Sequence, residues 1–196
     1  MSFKDLYDQV QSCSGKVSTK QLLQWAIHHS EICGVKEVWS EQVDHMSLRG
    51  FYVEGPLNNG PLAIPEKAAL IVLSRSMCTG PEGKYWRRLV KTKELMHVFD
   101  KEDEKAHSGQ TLDAQLDGFI KPSESECAQY KAENKAYWRA LACLCPEHIR
   151  RELKEKFLAE KLSLDVLSVT LQIPKAHVWR YLDDDFEASI ASVLED

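Results

Sequence analysis

The apolar positions of this chain recur at helical spacing over most of its length and break into strand-like runs only in its first half. Phe3, Leu6, Tyr7 and Val10 stand at i, i+3, i+4 and i+7 and predict an amphipathic helix over Phe3–Gln11, closed by Gly15. Ser18 is a favourable N-cap for a second helix, with Leu22, Leu23, Trp25, Ala26, Ile27 and Ile32 on its core face and Gly34 as its stop. Between 35 and 53 the spacing shortens. Val38, Trp39 and Val43, then the run Gly50–Glu54, predict short strands, and 55–61 is a turn with Asn-Gly between two prolines. Residues 68–73, Ala-Ala-Leu-Ile-Val-Leu, form a compact run of strand character, the clearest in the chain. A loop at 79–83 leads into a helix from Lys84 to about Asp100.

The second half reads as helical. Residues 101–109 are charged and end in glycine, as a solvated loop would, and 111–127 fits a short helix or a loop. Cys127, Tyr130, Asn134, Tyr137, Trp138, Leu141 and Leu144 place a long helix over 125–145, ended by Pro146. Ile149, Leu153, Phe157 and Leu158 give the next helix, over 147–160, its inner face. Two short helices follow, Leu164–Leu171 and Lys175–Leu182, broken at Ile173-Pro174 in the outline of a helix-turn-helix. From 183 to 196 an acidic tail forms either a surface helix or a loose end. The expected organisation is N-terminal helices over 1–34, a core over 35–160, and a helical pair with acidic tail over 161–196.

Charge changes one part of this picture. From Ser163 onward the cations are Lys175 and Arg180, against Asp165, Asp183, Asp184, Asp185, Glu187, Glu195 and Asp196. Phosphate binding needs the opposite balance, so the helical pair is expected to pack or to meet protein rather than DNA. The whole chain, at net charge −5 and pI 5.8, argues against nucleic acid as its partner in the same way. No apolar run approaches the roughly 18 residues of a membrane span, and Met1 to Asp5, without a charged stretch leading into an apolar one, are not expected to form a secretion signal. Cys13, Cys33, Cys78, Cys127, Cys143 and Cys145 include no Cys-x-x-Cys pair and are expected to be reduced thiols of a cytoplasmic protein. Cys143-x-Cys145 is expected to pack in the core, and adjacent His28 and His29 point too far apart on a helix to share a metal.

The chemistry concentrates in Lys93-Glu94-Leu95-Met96-His97. In His-Glu-x-x-His two imidazoles one turn apart bind zinc and the glutamate polarises the metal-bound water. Here the glutamate and the second histidine are present, and a lysine holds the first ligand position. An ammonium has no lone pair to give a metal, and neighbouring carboxylates keep it charged.

Three segments carry a resemblance to the ImmA/IrrE family of zincin-like domains. The strand Leu70-Ile71-Val72-Leu73-Ser74-Arg75-Ser76 and the arginine-bearing start Tyr85-Trp86-Arg87-Arg88-Leu89-Val90 precede the Lys-Glu-Leu-Met-His motif. Glu133 through Pro146 is similar to the family's Glu-x-x-Ala…Leu-Leu-x-Pro element, and Leu162 to Leu182 to its terminal helical pair. The resemblance implies an α+β, zincin-like domain, mostly helical, with a small sheet before the motif helix. It implies Glu94 as general base and His97 and Glu133 as metal ligands, with Lys93 as the replaced ligand. Three readings stay open. In the first, no cofactor is bound, Lys93 held by Glu133 and Glu94 replaces the metal, and the domain is a regulatory module for a protein partner. In the second it is an active endopeptidase using zinc or another divalent metal, with His107 or Asp100 completing the shell and a repressor-type protein as substrate. In the third it is an unrelated helical interaction domain in which Lys93, Glu94 and His97 are a solvated helix face.

Overall fold

The computed structural model describes residues 2–43, 46, 48–58, 60–105 and 128–195. The expected solvated loop beyond 105, the segment 111–127 and His107 lie outside the described residues, as does Asn59 of the expected turn. Among the described residues the chain is α+β, with eight helices and one three-stranded mixed sheet.

Helices α1 (Phe3–Gln11) and α2 (Thr19–His28) both begin in capping boxes. Ser2 exchanges bonds with Asp5, and Ser18 with Gln21, so each serine–acceptor pair satisfies backbone donors that the first helical turn leaves free. Ile32 is buried but lies beyond the end of α2 rather than on its face, because the helix stops at His28. Gly34 is not a stop either; it opens strand β1 (Gly34–Ser40).

Strand β2 (Gly50–Glu54) and strand β3 (Ala68–Ser74) complete the sheet in the order β1-β3-β2, β1 parallel and β2 antiparallel to β3. Central β3 is buried on both faces, which explains its unbroken apolar run. Ala69, Ile71 and Leu73 join the main core, while Ala68, Leu70 and Val72 pack with Ile64, Val38, Val43, Phe51 and Leu57 in a smaller cluster on the other face. Val43, expected in a short strand, lies instead in the segment between β1 and β2 and packs on this cluster from there.

Helix α3 (Gly83–Met96) lies against this sheet, and a 3₁₀ turn at His97–Phe99 extends it. The helical pattern expected to reach Asp100 thus tightens one residue after Met96, which puts His97 at the junction. Gly50 is the close-approach point between β2 and α3: a Cβ there would sit 3.0 Å from both Leu73 and Val90 side chains. Gly83 is tighter still, because a methyl would overlap the Cys78 carbonyl. Gly83→Ala is therefore expected to lower stability by about 1–3 kcal/mol, as overpacking does, read as a shift of the urea midpoint.

Helix α4 (Ala128–Leu144) crosses α3 and carries buried Ala132, Ala136, Arg139, Ala140 and Leu141 inward. Its end, Cys143 to Cys145, is core, with Cys143 Sγ 4.0 Å from Met96 Sδ. Helices α5 (Glu147–Leu158), α6 (Leu164–Leu171) and α7 (Lys175–Leu182) follow, with Gln172 in the left-handed conformation between the last two. The tail is neither loose nor a mere surface helix. Asp183 to Asp185 lead into α8 (Phe186–Leu194), whose Phe186, Ile190 and Val193 are buried against the rest of the core. One contiguous buried cluster runs from Phe3 to Val193. All five described cysteines are free, and no helix among the described residues is long and apolar enough to cross a membrane.

Candidate functional site

The α3–α4 crossing brings the motif together. Residues 93, 94 and 97 occupy adjacent positions at the end of α3, and Glu133 sits on the first half of α4. The amine of Lys93 donates to Glu94 Oε1 at 2.9 Å and forms a closer ion pair with Glu133 Oε2. His97 Nε2 lies 3.4 Å from Glu133 Oε1 and 3.8 Å from Glu94 Oε2. The face is not solvated: Glu94 is 1% exposed and His97 7% exposed.

Asp100 fixes the histidine from the other side. Its Oδ2 accepts from His97 Nδ1 at 2.5 Å, and its Oδ1 accepts from Arg139 Nη1 at 2.8 Å. Asp100 is thereby placed to orient the ring rather than beside the Nε2 edge, where a further metal ligand would stand. Tyr52 of β2 stacks on the imidazole, with ring centroids 5.8 Å apart, and donates its hydroxyl to Glu54 at 3.1 Å. Glu54 also receives Lys105 at 3.2 Å, and Lys135 reaches Glu104 at 2.7 Å, tying the segment after α3 to β2 and α4. His28 and His29 have no part in this; His29 Nε2 meets Gln9 at 2.7 Å, remote in sequence from the motif.

Three acids and three bases therefore share one largely buried place: Glu94, Glu133 and Asp100 with Lys93, His97 and Arg139. Burial alone would strip the proton from Lys93, but Glu94 and Glu133 outweigh it and hold the amine charged, above its ordinary range. Burial would likewise favour neutral His97, but Asp100 and Glu133 raise it to about 10, so imidazolium is the form at neutral pH. Glu133 resists burial through Lys93 and His97 and stays well below the usual carboxylate range. Glu94 goes the other way: burial raises it, against the pull of Lys93.

The same residues can be tested as a metal centre. One ligand atom each from Glu94, His97 and Glu133 lies within 4.8 Å of the others, and Glu94 Oε2 and His97 Nε2 are buried without a hydrogen-bond partner. That spacing suits a divalent ion. The division of roles does not suit hydrolysis, where zinc needs three protein ligands, an open position for water and a separate base. The described residues offer three donors in all. If Glu94 binds metal no base remains, and if it stays the base only His97 and Glu133 are left. An ammonium also already engages both carboxylates.

No family model, curated protein or solved structure gives a significant match to this chain.

Sequence reasoning found Lys93, Glu94, His97, Glu133 and Asp100 but missed Arg139 and Tyr52. Arg139 had a signal: a lone arginine among Ala136, Tyr137, Trp138, Ala140 and Leu141 sits in an apolar stretch of helix, where a buried cation needs an acid. Tyr52, one aromatic in a short strand, had none.

Proposed function

We propose that this chain is a zincin-like protein of the ImmA/IrrE type in which Lys93 replaces the catalytic metal, and that it acts in the cytoplasm as a regulatory module binding another protein. The observation that carries this is the Lys93 amine bonded to Glu94 and Glu133 together. In a metal enzyme of this kind, the divalent ion links the motif helix to the glutamate helix and neutralises their acids. Here Lys93 and protonated His97 supply the same two positive charges without a Lewis acid. What the residues then do is hold two helices in register around an uncatalytic pocket. The partner reading rests on the resemblance and on a surface whose charge is unsuited to nucleic acid.

Metal analysis of the purified protein tests the first half, and about one equivalent of tightly held zinc overturns it. Lys93→His is expected to create zinc binding, because it adds the missing neutral donor to His97 and Glu133 and leaves Glu94 free as base. Failure of the variant to bind zinc would show that the pocket is not a displaced metal site.

A second reading, a divalent-metal endopeptidase acting on a repressor-type protein, is favoured by Glu94 Oε2 and His97 Nε2, buried within the ligand cluster without a hydrogen bond. It requires the natural protein to cleave a protein substrate and Glu94→Gln to abolish that cleavage.

A further inference from the structure

Asp100 and Arg139 also line a second recess, one to which Lys93, Glu94, His97 and Glu133 do not contribute. It has a volume of about 490 Å³ and lies between the start of α1, the turn after α3 and the end of α8. That is within the roughly 300–1,000 Å³ of small-molecule sites. Part of its wall is apolar, from Ile32, Phe99, Val193 and Leu194. The rest is polar: Lys4, His29 and Lys105 stand with Arg139, which is 3% exposed, against Glu31, Glu102 and Asp100.

The state of that guanidinium points to a ligand. Nη1 is used by Asp100, and the group lies over the Phe3 ring, 5.5 Å from its centroid. Its Nε–H is buried and has no acceptor among the described residues. Buried donors without acceptors are rare, and each costs the desolvation of the group. The Nε edge of an arginine is one that a carboxylate takes with two parallel bonds. Glu31 and Glu102 also line the recess, but neither bonds this edge.

We infer that this recess binds a small organic carboxylate, its acid group on the Nε edge of Arg139 and an aliphatic or aromatic body against Phe99, Val193 and Leu194. Lys93, Glu94, His97 and Glu133 do not line the recess, so the assignment does not turn on whether those four hold a metal. Its link to the first site is Asp100, which accepts from Arg139 through one oxygen and from His97 through the other.

The test uses the intact protein, ¹⁵N-labelled, titrated with benzoate and hexanoate and, in parallel, with benzyl alcohol and hexan-1-ol. The acids are expected to shift the amides of Phe99 and Leu194 and to bind about tenfold or more tighter than the alcohols, the margin of a charge-assisted bond. Arg139→Gln is expected to erase that preference. Because it also breaks a buried ion pair, Leu194→Trp serves as the second variant. It fills the recess from a half-buried position at the end of α8 and is expected to weaken the acids at least tenfold while the fold persists. Acids and alcohols binding alike, acid binding that survives Leu194→Trp, or no shift at Phe99 and Leu194 would each overturn the assignment.

Discussion

Lys93→Met is expected to destabilise the protein by about 3–5 kcal/mol at neutral pH, the range for removing one partner of a buried ion pair. For a chain of this size, that is a fall in melting temperature of roughly 10 °C. Methionine keeps most of the stem volume, so cavity formation contributes little and the charge is what changes. Without the amine, Glu94 and Glu133 face each other with only His97 between them. Glu94, already pushed upward by burial and now without its main counter-charge, takes up a proton. The folded variant then binds more protons than its unfolded chain at mildly acid pH, so its stability falls as pH rises from about 5 to 8. The loss relative to the natural protein should therefore be smaller at pH 5 than at pH 8. Adding Glu133→Gln should recover part of the loss, since it removes the repelling acid. Urea melts of the two single variants and the double variant form the cycle that measures this coupling. Equal stability of Lys93→Met and the natural protein at pH 8 would mean that the amine does not hold these helices together.

The contrast between what the sequence revealed and what it hid follows from how each feature is encoded. Periodicity is local, so α1, α3 and the run in β3 could be located from a few neighbours in the chain. The tail of the molecule reads as surface because Asp183, Asp184 and Asp185 dominate its composition, although Phe186, Ile190 and Val193 stand at i, i+4 and i+7 and are buried. Ile32 misleads for the opposite reason: an apolar residue just past a helix end has the spacing of the helix face, yet it packs from the connection after it. Within the site, Lys93, Glu94 and His97 are one helical turn and could be read as a unit. Glu133 is 40 positions from Lys93, and nothing in spacing joins them; only the resemblance did. The Asp100–Arg139 bond spans 39 positions and no motif carries it. Side chains that meet across two packed helices leave no period in the chain, which is why the turn from Lys93 to His97 is legible and the Asp100–Arg139 pair behind it is not.

Asp100→Asn is expected to cost a similar 3–5 kcal/mol, because it leaves Arg139, with its side chain 3% exposed, and His97 without their shared acid. Its pH dependence separates a charge effect from a packing effect, since asparagine is nearly isosteric with aspartate. His97 is raised to about 10 in the folded protein, against an ordinary value near 6.5, with Asp100 the strongest of the groups that raise it. A group whose folded pKa is raised contributes stability that is complete below its unfolded pKa and disappears as pH climbs through the folded one. The natural protein should accordingly lose this contribution between about pH 6.5 and pH 10. In Asp100→Asn the imidazole loses its main partner, its pKa drops, and less of that contribution remains to be lost. The stability gap between the two proteins is thus widest near pH 6 and narrows toward pH 10, where the loss of the Arg139 bond alone persists. Chemical denaturation at pH 6, 8 and 9.5 reads the gap directly, and the His97 ring resonances report the titration itself. A gap of constant size across that range would show that His97 is neutral at the site. The two positive charges assigned to Lys93 and His97 would then be one, and the balance that lets this pocket dispense with a metal would fail.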